Sequence, residues 1–430
     1  MLRDIINQLD MVEIDSANKK YEITKILKKY DGKVVYIKDV DGYEVVGNLY
    51  NRETIGKIMS IHPKNIMKHM LKSMENEKNG KIIVDNNLKK DYVKDDVSEI
   101  LNYPIPTYYP KDAGPYITSG VVIVKDKDYG INASIHRILI KENGDLVIRM
   151  VEQRHLHYIY NKNIVNGDVD VVIAVGLHPA ILLSGSTSGD LTFDELKFAS
   201  ALMGKPLKVM ECDTVDLVVP PADYIIEGKI TNEMDDEGPF VDITGTYDKV
   251  RKQPVIKITN LKRKKDGIFH ALLPGGLEHK ILMGLPQEPR LYRGIRNTVP
   301  SVKNVVLTEG GCCWLHAVVS IDKKTEGDGK NTIISALASH PSLKHVVVVD
   351  DDIDINNPND VEYAIATRVQ GDKDLVIIKG AKGSSLDPSS DLENKLTTKV
   401  GIDATMPLKG KDKFLRAEVD LEELDKSNIK

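Results

Sequence analysis

Between Asn132 and His157 the chain places three of its 12 arginines (Arg137, Arg149, Arg154) and three of its 11 histidines (His136, His155, His157). Polar residues recur downstream in two short runs, Asp194-Glu195-Leu196 and Glu237-Gly238-Pro239-Phe240-Val241-Asp242. Asn132, His155 and Glu195 together offer an amide, an imidazole and a carboxylate, a donor set suited to Mn²⁺ or Mg²⁺ rather than to a soft metal. Glu237 and Asp242 flank a Gly-Pro turn, and beside an arginine such a pair can hold and deliver a proton. Each residue also has a plain structural reading. Glu195 can cap a helix, Asn132 can close a turn and His155 can be a core histidine with its hydrogen bonds met.

Other motifs carry less chemistry. The small-residue run Ser184 to Gly189 leads into a helix, where phosphate can bind, but it lacks the Lys-Ser/Thr of a nucleotide P-loop and reads first as a loop. Asp350-Asp351-Asp352-Ile353-Asp354 has Ile355 where a calcium loop requires glycine, so it reads as the end of a buried strand. Cys312-Cys313-Trp314 reads as packing. Lys262 to Lys265, ahead of Asp266-Gly267, reads as a solvated loop.

The elements that must position these residues fall into three stretches. Residues 1–110 read as a small α/β unit, with helices at Leu2 to Leu9 and Tyr21 to Tyr30 and helical spacing over Ile55 to Met70 broken by His62-Pro63, around strands at 33–37 and 43–48. Glu75 to Asp96 reads as a charged surface excursion, and four prolines from Pro104 to Pro115 mark a boundary. Residues 111–300 are dominated by short aliphatic strands with Asn-Gly turns, the pattern of a barrel or sandwich. One helix is expected there, Thr192 to Met203, with Thr192 and Glu195 at capping-box spacing. Residues 301–430 alternate continuous aliphatic runs, among them Leu375 to Ile378, with helices, as in a βαβ domain around a buried sheet.

Bulk composition excludes several function classes. Hydrophobic residues make up 41% and charged residues 29% of 430, with 5% aromatic, so the cores are built from Val, Ile and Leu. A net charge of −5 and a pI near 6.2 give no footprint for nucleic acid. Three cysteines, Cys212, Cys312 and Cys313, form no zinc or disulfide framework and fit a reducing cytosol. The most apolar run, Val171 to Leu183, is shorter than the ~20 residues of a membrane span. A cytoplasmic protein is expected.

The order and gaps of these motifs resemble the UbiD family of prenylated-FMN-dependent decarboxylases. Asn132-x-x-Ile135-His136-Arg137, Arg154-His155, Asp194-Glu195-Leu196 and Glu237-Gly238-Pro239-Phe240-x-Asp242 carry the resemblance. It extends through Pro220-Pro221-Ala222, Ile226-Glu227-Gly228, Leu386-Asp387-Pro388 and Lys399-Val400-Gly401-Ile402-Asp403, over residues 2 to 408. The chain departs at Asp223-Tyr224, where many members have Ala-Glu, and at Val241, where many have Gly; both bear on substrate identity.

The resemblance implies an α+β, α/β multidomain fold: a small N-terminal α/β unit, a central split β-barrel domain binding the flavin, and a C-terminal α/β domain that oligomerises. It implies prenylated FMN with Mn²⁺, and K⁺ as a possible second cation. Asn132, His155 and Glu195 match the metal ligands. Ile135, His136, Arg137, Arg149, Met150, Val151, Arg154, His155 and Lys399 match cofactor-lining positions. Arg137, Glu237 and Asp242 match the catalytic network, with Asp242 as proton donor, and burial is expected to raise its pKa. The implied partners are a small carboxylic acid, a flavin prenyltransferase that supplies the cofactor, and further copies of the chain.

Within the family, the compact Lys-rich form is similar to archaeal members that convert trans-anhydromevalonate 5-phosphate to isopentenyl phosphate and CO2 in a modified mevalonate pathway. Arg290, Arg293 and Arg296 are candidate partners for that phosphate. A decarboxylase of 4-hydroxybenzoate-type aryl acids is the alternative, and an oxidoreductase using ordinary FMN is the alternative of another class.

Overall fold

Long β-branched runs form the strands that carry the site. Val169–Val175 is almost wholly buried, and Tyr224–Glu237 and Arg251–Lys264 each run for 14 residues. In this computed structural model, which describes residues 2–391 and 393–417, these strands belong to a nine-stranded sheet. Its order is Tyr116–Ile117, Ile138–Ile140, Leu146–Ile148, Arg251–Lys264, Tyr224–Glu237, Val169–Val175, Val121–Asp126, Gly130–Ile135, with Tyr92–Asp95 paired to the far end of Arg251–Lys264. The two long strands pair antiparallel from Tyr224 opposite Arg263 to Glu237 opposite Arg251.

Two compact units make up the chain. The first takes the residues through Arg290 with Glu309–Trp314 and Ser385–Pro388. Beside the large sheet it holds a four-stranded sheet, Met11–Ser16, Val34–Val40, Tyr43–Gly47 and Ile268–His270, and smaller sheets of three and two strands. Its core joins aliphatic residues such as Val35, Ile37, Ile138, Val147 and Ile173 with buried rings, among them Tyr103, Tyr224 and Phe269, in one cluster, so the scarce aromatics are concentrated there. The second unit takes Leu291–Thr308, Leu315–Ser384 and the chain from Ser389 on. It folds around a five-stranded sheet ordered Val302–Leu307, His316–Ile321, His345–Asp350, Leu396–Ala404, Leu375–Lys382. Among the described residues no helix is long and apolar enough to cross a membrane. The mixed α/β multi-sheet architecture is the one expected.

Several local readings change. Asp194, not Thr192, caps the helix Glu195–Met203, accepting from the Lys197 N–H at 2.9 Å, which turns Glu195 away from its own helix end. Lys262 is no solvated loop residue. It lies buried in Arg251–Lys264, with its ammonium 3.1 Å from the buried Glu227 carboxylate, because an ion pair makes burial of a lysine tolerable. Leu375–Lys382 is an edge strand with Leu375 and Ile377 exposed, not a buried one. The charged stretch Glu75 to Asp96 contains two short strands, Ile82–Val84 and Tyr92–Asp95, that pair with distant partners. Asp350 does end a buried strand, and the buried Arg368 guanidinium bonds Asp350 and Asp352.

Candidate active site

Arg137 sits between the strands Gly130–Ile135 and Ile138–Ile140, and Glu237 ends the strand Tyr224–Glu237. The Arg137 guanidinium donates to both Glu237 oxygens, Nε to Oε1 at 2.8 Å and Nη2 to Oε2 at 2.9 Å. The Glu237 side chain is 0% exposed, and this two-pronged, charge-assisted pairing offsets part of the cost of burying a carboxylate. The Tyr116 hydroxyl donates to Glu237 Oε1 at 3.2 Å and accepts from the Gly238 N–H at 3.1 Å. Gly238 has φ 93°, and a Cβ there would lie 3.0 Å from the Lys249 carbonyl oxygen, so the turn requires glycine.

Beyond the turn, Asp242 Oδ2 lies 3.7 Å from Arg137 Nη1, and Asp242 Oδ1 accepts from the Ile243 N–H at 2.6 Å. Asp248 completes the group. It accepts from Arg137 Nη2 at 3.1 Å and from both Arg251 nitrogens at 2.6 and 2.7 Å. The Phe240 ring stacks under the Arg137 guanidinium, 5.0 Å to its centroid. Burial opposes the Arg137 charge, but bonding to Glu237 and the field of the carboxylates outweigh it and raise the pKa. Burial likewise opposes ionisation of Asp248, and Arg251 and Arg137 pull its pKa below the usual range. The structure thus brings together the three residues that the resemblance pointed to, Arg137, Glu237 and Asp242, with two further charged groups, Asp248 and Arg251.

A second polar group forms where the helix Glu195–Met203 meets the strand Gly130–Ile135. Asn132 Nδ2 donates to Glu195 Oε1 at 3.0 Å, and the Ala133 N–H donates to Oε2 at 3.0 Å. Glu195 therefore faces the sheet as a buried carboxylate, and Asn132 lies within a strand rather than closing a turn. With only neutral partners, burial pushes the Glu195 carboxyl up to about 8. A divalent cation is what such a carboxylate lacks, so the donor set fits one. His155 begins the helix His155–Asn163 and hydrogen-bonds neither Asn132 nor Glu195. Burial lowers its pKa, which keeps the ring neutral as a ligand must be. Among the described residues no three His, Cys, Asp or Glu side chains converge as a metal site.

Around this pair, the Ser134 hydroxyl lies 2.9 Å from His136 Nε2, and His136 Nδ1 lies 2.8 Å from the Arg149 carbonyl oxygen. A carbonyl only accepts, so Nδ1 carries the hydrogen and Ser134 donates to Nε2. Burial drops the His136 pKa to about 4 and leaves it neutral. Arg154 Nη1 reaches the Ser188 hydroxyl at 3.3 Å. Ile135 and Arg149 are half-buried, Met150 is buried and Val151 is exposed.

Lys399 belongs to the second unit, where its buried ammonium donates to the Pro341 carbonyl at 2.6 Å and burial lowers its pKa. Arg290, Arg293 and Arg296 are all exposed. The residues that sequence reasoning passed over are Tyr116, Asp248, Arg251, Asp112 and His279. His279 Nδ1 accepts from the Gly275 N–H at 3.1 Å, and a Cβ on Gly275 would lie 3.2 Å from the Asp242 carbonyl oxygen, so the ring is anchored beside Asp242. Burial lowers the His279 pKa against the opposing field of Asp242. Burial pushes the Asp112 carboxyl up to about 6, even though it accepts from the Tyr109 N–H. The scarcity of arginine pointed to Arg251 as much as to Arg137; nothing local pointed to His279.

Residues 82–277 match the family model described as the 3-octaprenyl-4-hydroxybenzoate carboxy-lyase Rift-related domain, and residues 280–404 match the C-terminal domain of the same carboxy-lyase. The anhydromevalonate phosphate decarboxylase of Methanocaldococcus jannaschii is 66% identical over 420 residues, 97% of this chain and 99% of the relative. The enzyme of the same name from Methanothermobacter thermautotrophicus is 45% identical over 96% of this chain and 98% of its own. The UbiD-class enzyme HmfF from Pelotomaculum thermopropionicum, solved with FMN, superposes with a TM-score of 0.93 at 35% identity, covering 100% of this chain and 99% of that one. With both domains matched and the identity sustained along nearly its whole length, the chain belongs to the UbiD family of carboxy-lyases.

Proposed function

We propose that this chain decarboxylates trans-anhydromevalonate 5-phosphate to isopentenyl phosphate and CO2, as a prenylated-FMN enzyme of the archaeal mevalonate pathway. The observation that carries the reading is the 66% identity with the Methanocaldococcus jannaschii decarboxylase across 97% of the chain. The Arg137, Glu237 and Asp242 group supplies chemistry of the right kind beside it. On this reading residues 1–110, 111–300 and 301–430 are the three domains of a cytoplasmic homo-oligomer that takes its cofactor from a flavin prenyltransferase.

The flavin, when bound, serves as the electron sink for loss of CO2. Asn132, His155 and Glu195 would hold a divalent cation, Mn²⁺, which would supply positive charge against the flavin phosphate, and Arg154, bonded to Ser188, would add to it. The Ile135 to Arg137 and Arg149 to Val151 segments would line the flavin. Arg137, fixed by Glu237 and Asp248, orients the substrate carboxylate. Asp242, held by the Ile243 N–H and facing Arg137, delivers its proton to the carbon that the carboxylate leaves. Tyr116 and Phe240 close the apolar side of the Arg137 group and exclude water.

The test offers the cofactor-loaded enzyme the phosphorylated acid and 4-hydroxybenzoate separately. CO2 from the phosphorylated acid is expected; CO2 from the aromatic acid alone would move the chain to the aryl acid decarboxylases.

A further inference from the structure

Arg149 carries a charge that the protein itself does not answer. The hairpin that pairs Ile148 with Ile138 continues one residue further, the Arg149 N–H donating to the Arg137 carbonyl at 3.1 Å. Two guanidinium side chains thus stand opposite one another on adjacent strands, where like charges are unfavourable. The neighbouring strand on the other side, Arg251–Lys264, brings in a third, Arg251, in register with Glu237. Arg137 is met by Glu237, and Arg251 by Asp248. Among the described residues Arg149 pairs with no carboxylate, and its guanidinium donates to the Met150 carbonyl. Burial and the fields of Arg251 and Arg137 lower the Arg149 pKa, a sign that the cationic form is uncomfortable there. The three carboxylates of the group, Glu237, Asp242 and Asp248, all pair with Arg137 or Arg251, which leaves Arg149 without one of its own.

The substrate read above has two anionic groups. Its carboxylate must lie at Arg137 and Asp242, because the proton goes to the carbon that the carboxylate leaves. Its phosphate needs a second cation. The flavin phosphate has the Asn132, Glu195, Arg154 and Ser188 group, and the Arg149 backbone already meets the cofactor side through its carbonyl on His136. The exposed arginines Arg290, Arg293 and Arg296 lack any buried setting. We propose that the Arg149 side chain, with Arg251 next to it, binds the phosphate monoester of the substrate and selects phosphorylated acids. The inference rests on the substrate reading above.

The test compares wild type, Arg149→Gln and Arg149→Lys as full-length, flavin-loaded enzymes on the phosphorylated acid and on its unphosphorylated counterpart. Arg149→Gln is expected to lose about 10- to 100-fold in kcat/KM on the phosphorylated acid, mostly through KM, the range of a charge-assisted contact. The readout is the ratio of kcat/KM on the phosphorylated acid to that on the unphosphorylated acid, which is expected to fall by the same factor, with each rate normalised to the flavin absorbance per chain. Arg149→Lys recovers much of the loss, and the Tm of Arg149→Gln does not fall, because a repulsion has been removed. Loss of bound flavin would reassign Arg149 to the cofactor phosphate and overturn the proposal, as would an equal loss on both acids or no loss at all. A wild type that turns over neither acid would instead overturn the substrate reading, and this inference with it.

Discussion

The Arg137 group and the Asn132–Glu195 group lie in the same unit and use the same kinds of side chain, yet one closes its charges and the other does not. Glu237, wholly buried, receives both arms of Arg137 and the Tyr116 hydroxyl. Glu195, also buried, receives an amide and a backbone N–H, neither of them charged. The first group is complete without any ligand, so its geometry is fixed before substrate arrives, and fixed donors are the inexpensive way to stabilise a charge that develops during reaction. The second group is preorganised in position but short of positive charge. On the proposed reading a cation would complete it, and binding of that cation would then contribute to folding.

The comparison breaks most visibly at Glu237. Glu237→Gln leaves the buried Arg137 without its carboxylate, and loss of one partner of such a pair costs about 3–5 kcal/mol. Chemical denaturation should register that loss at any metal concentration, and turnover should fall with it. A variant as stable as wild type would show that Asp248 alone can hold Arg137.

At Glu195 the expected effect is smaller and depends on pH and metal. Its carboxyl titrates near 8 in the folded protein against an ordinary value of 4.5. A raised carboxyl contributes its full stability below the ordinary value and loses it as pH climbs to about 8, because the ionised form is then buried without a counter-charge. The metal-free protein should therefore melt at a lower temperature at pH 9 than at pH 5. Mn²⁺ should restore the difference, and Glu195→Gln should flatten the pH dependence and abolish the Mn²⁺ response. A metal-free protein whose melting does not change with pH would contradict the contrast between the two groups.

The smallest effect is expected at Ser134, which bonds His136 at the edge of the second group. Ser134→Ala removes one hydrogen bond and should cost about 1 kcal/mol, with Mn²⁺ content unchanged. Loss of metal in this variant would place the hydroxyl among the groups that organise the ligands.

Much of this was legible in the chain. Val169–Val175 and the aliphatic runs of the second unit announced themselves by composition, and the residues of both polar groups by type and order. What could not be read was pairing across distance. Glu195 has capping spacing from Thr192, yet Asp194 takes the cap, and the helix then presents Glu195 to a strand 62 residues earlier in sequence. Lys262 sits in a basic run that looks solvated, but Glu227 on the neighbouring strand makes its burial possible. Leu375–Lys382 has the composition of a buried strand and the position of an edge one, and composition alone does not distinguish the two. His279 enters the site only through the packing of Gly275 against the Asp242 turn.

The central claim is that Asp242 delivers a proton in a decarboxylation. Asp242→Asn keeps an acceptor for the Ile243 N–H and removes only the acid. Measured as CO2 release from the phosphorylated acid by the cofactor-loaded enzyme, it should fall by about 10²- to 10⁴-fold, with flavin and metal content unchanged. Turnover equal to wild type would contradict the account.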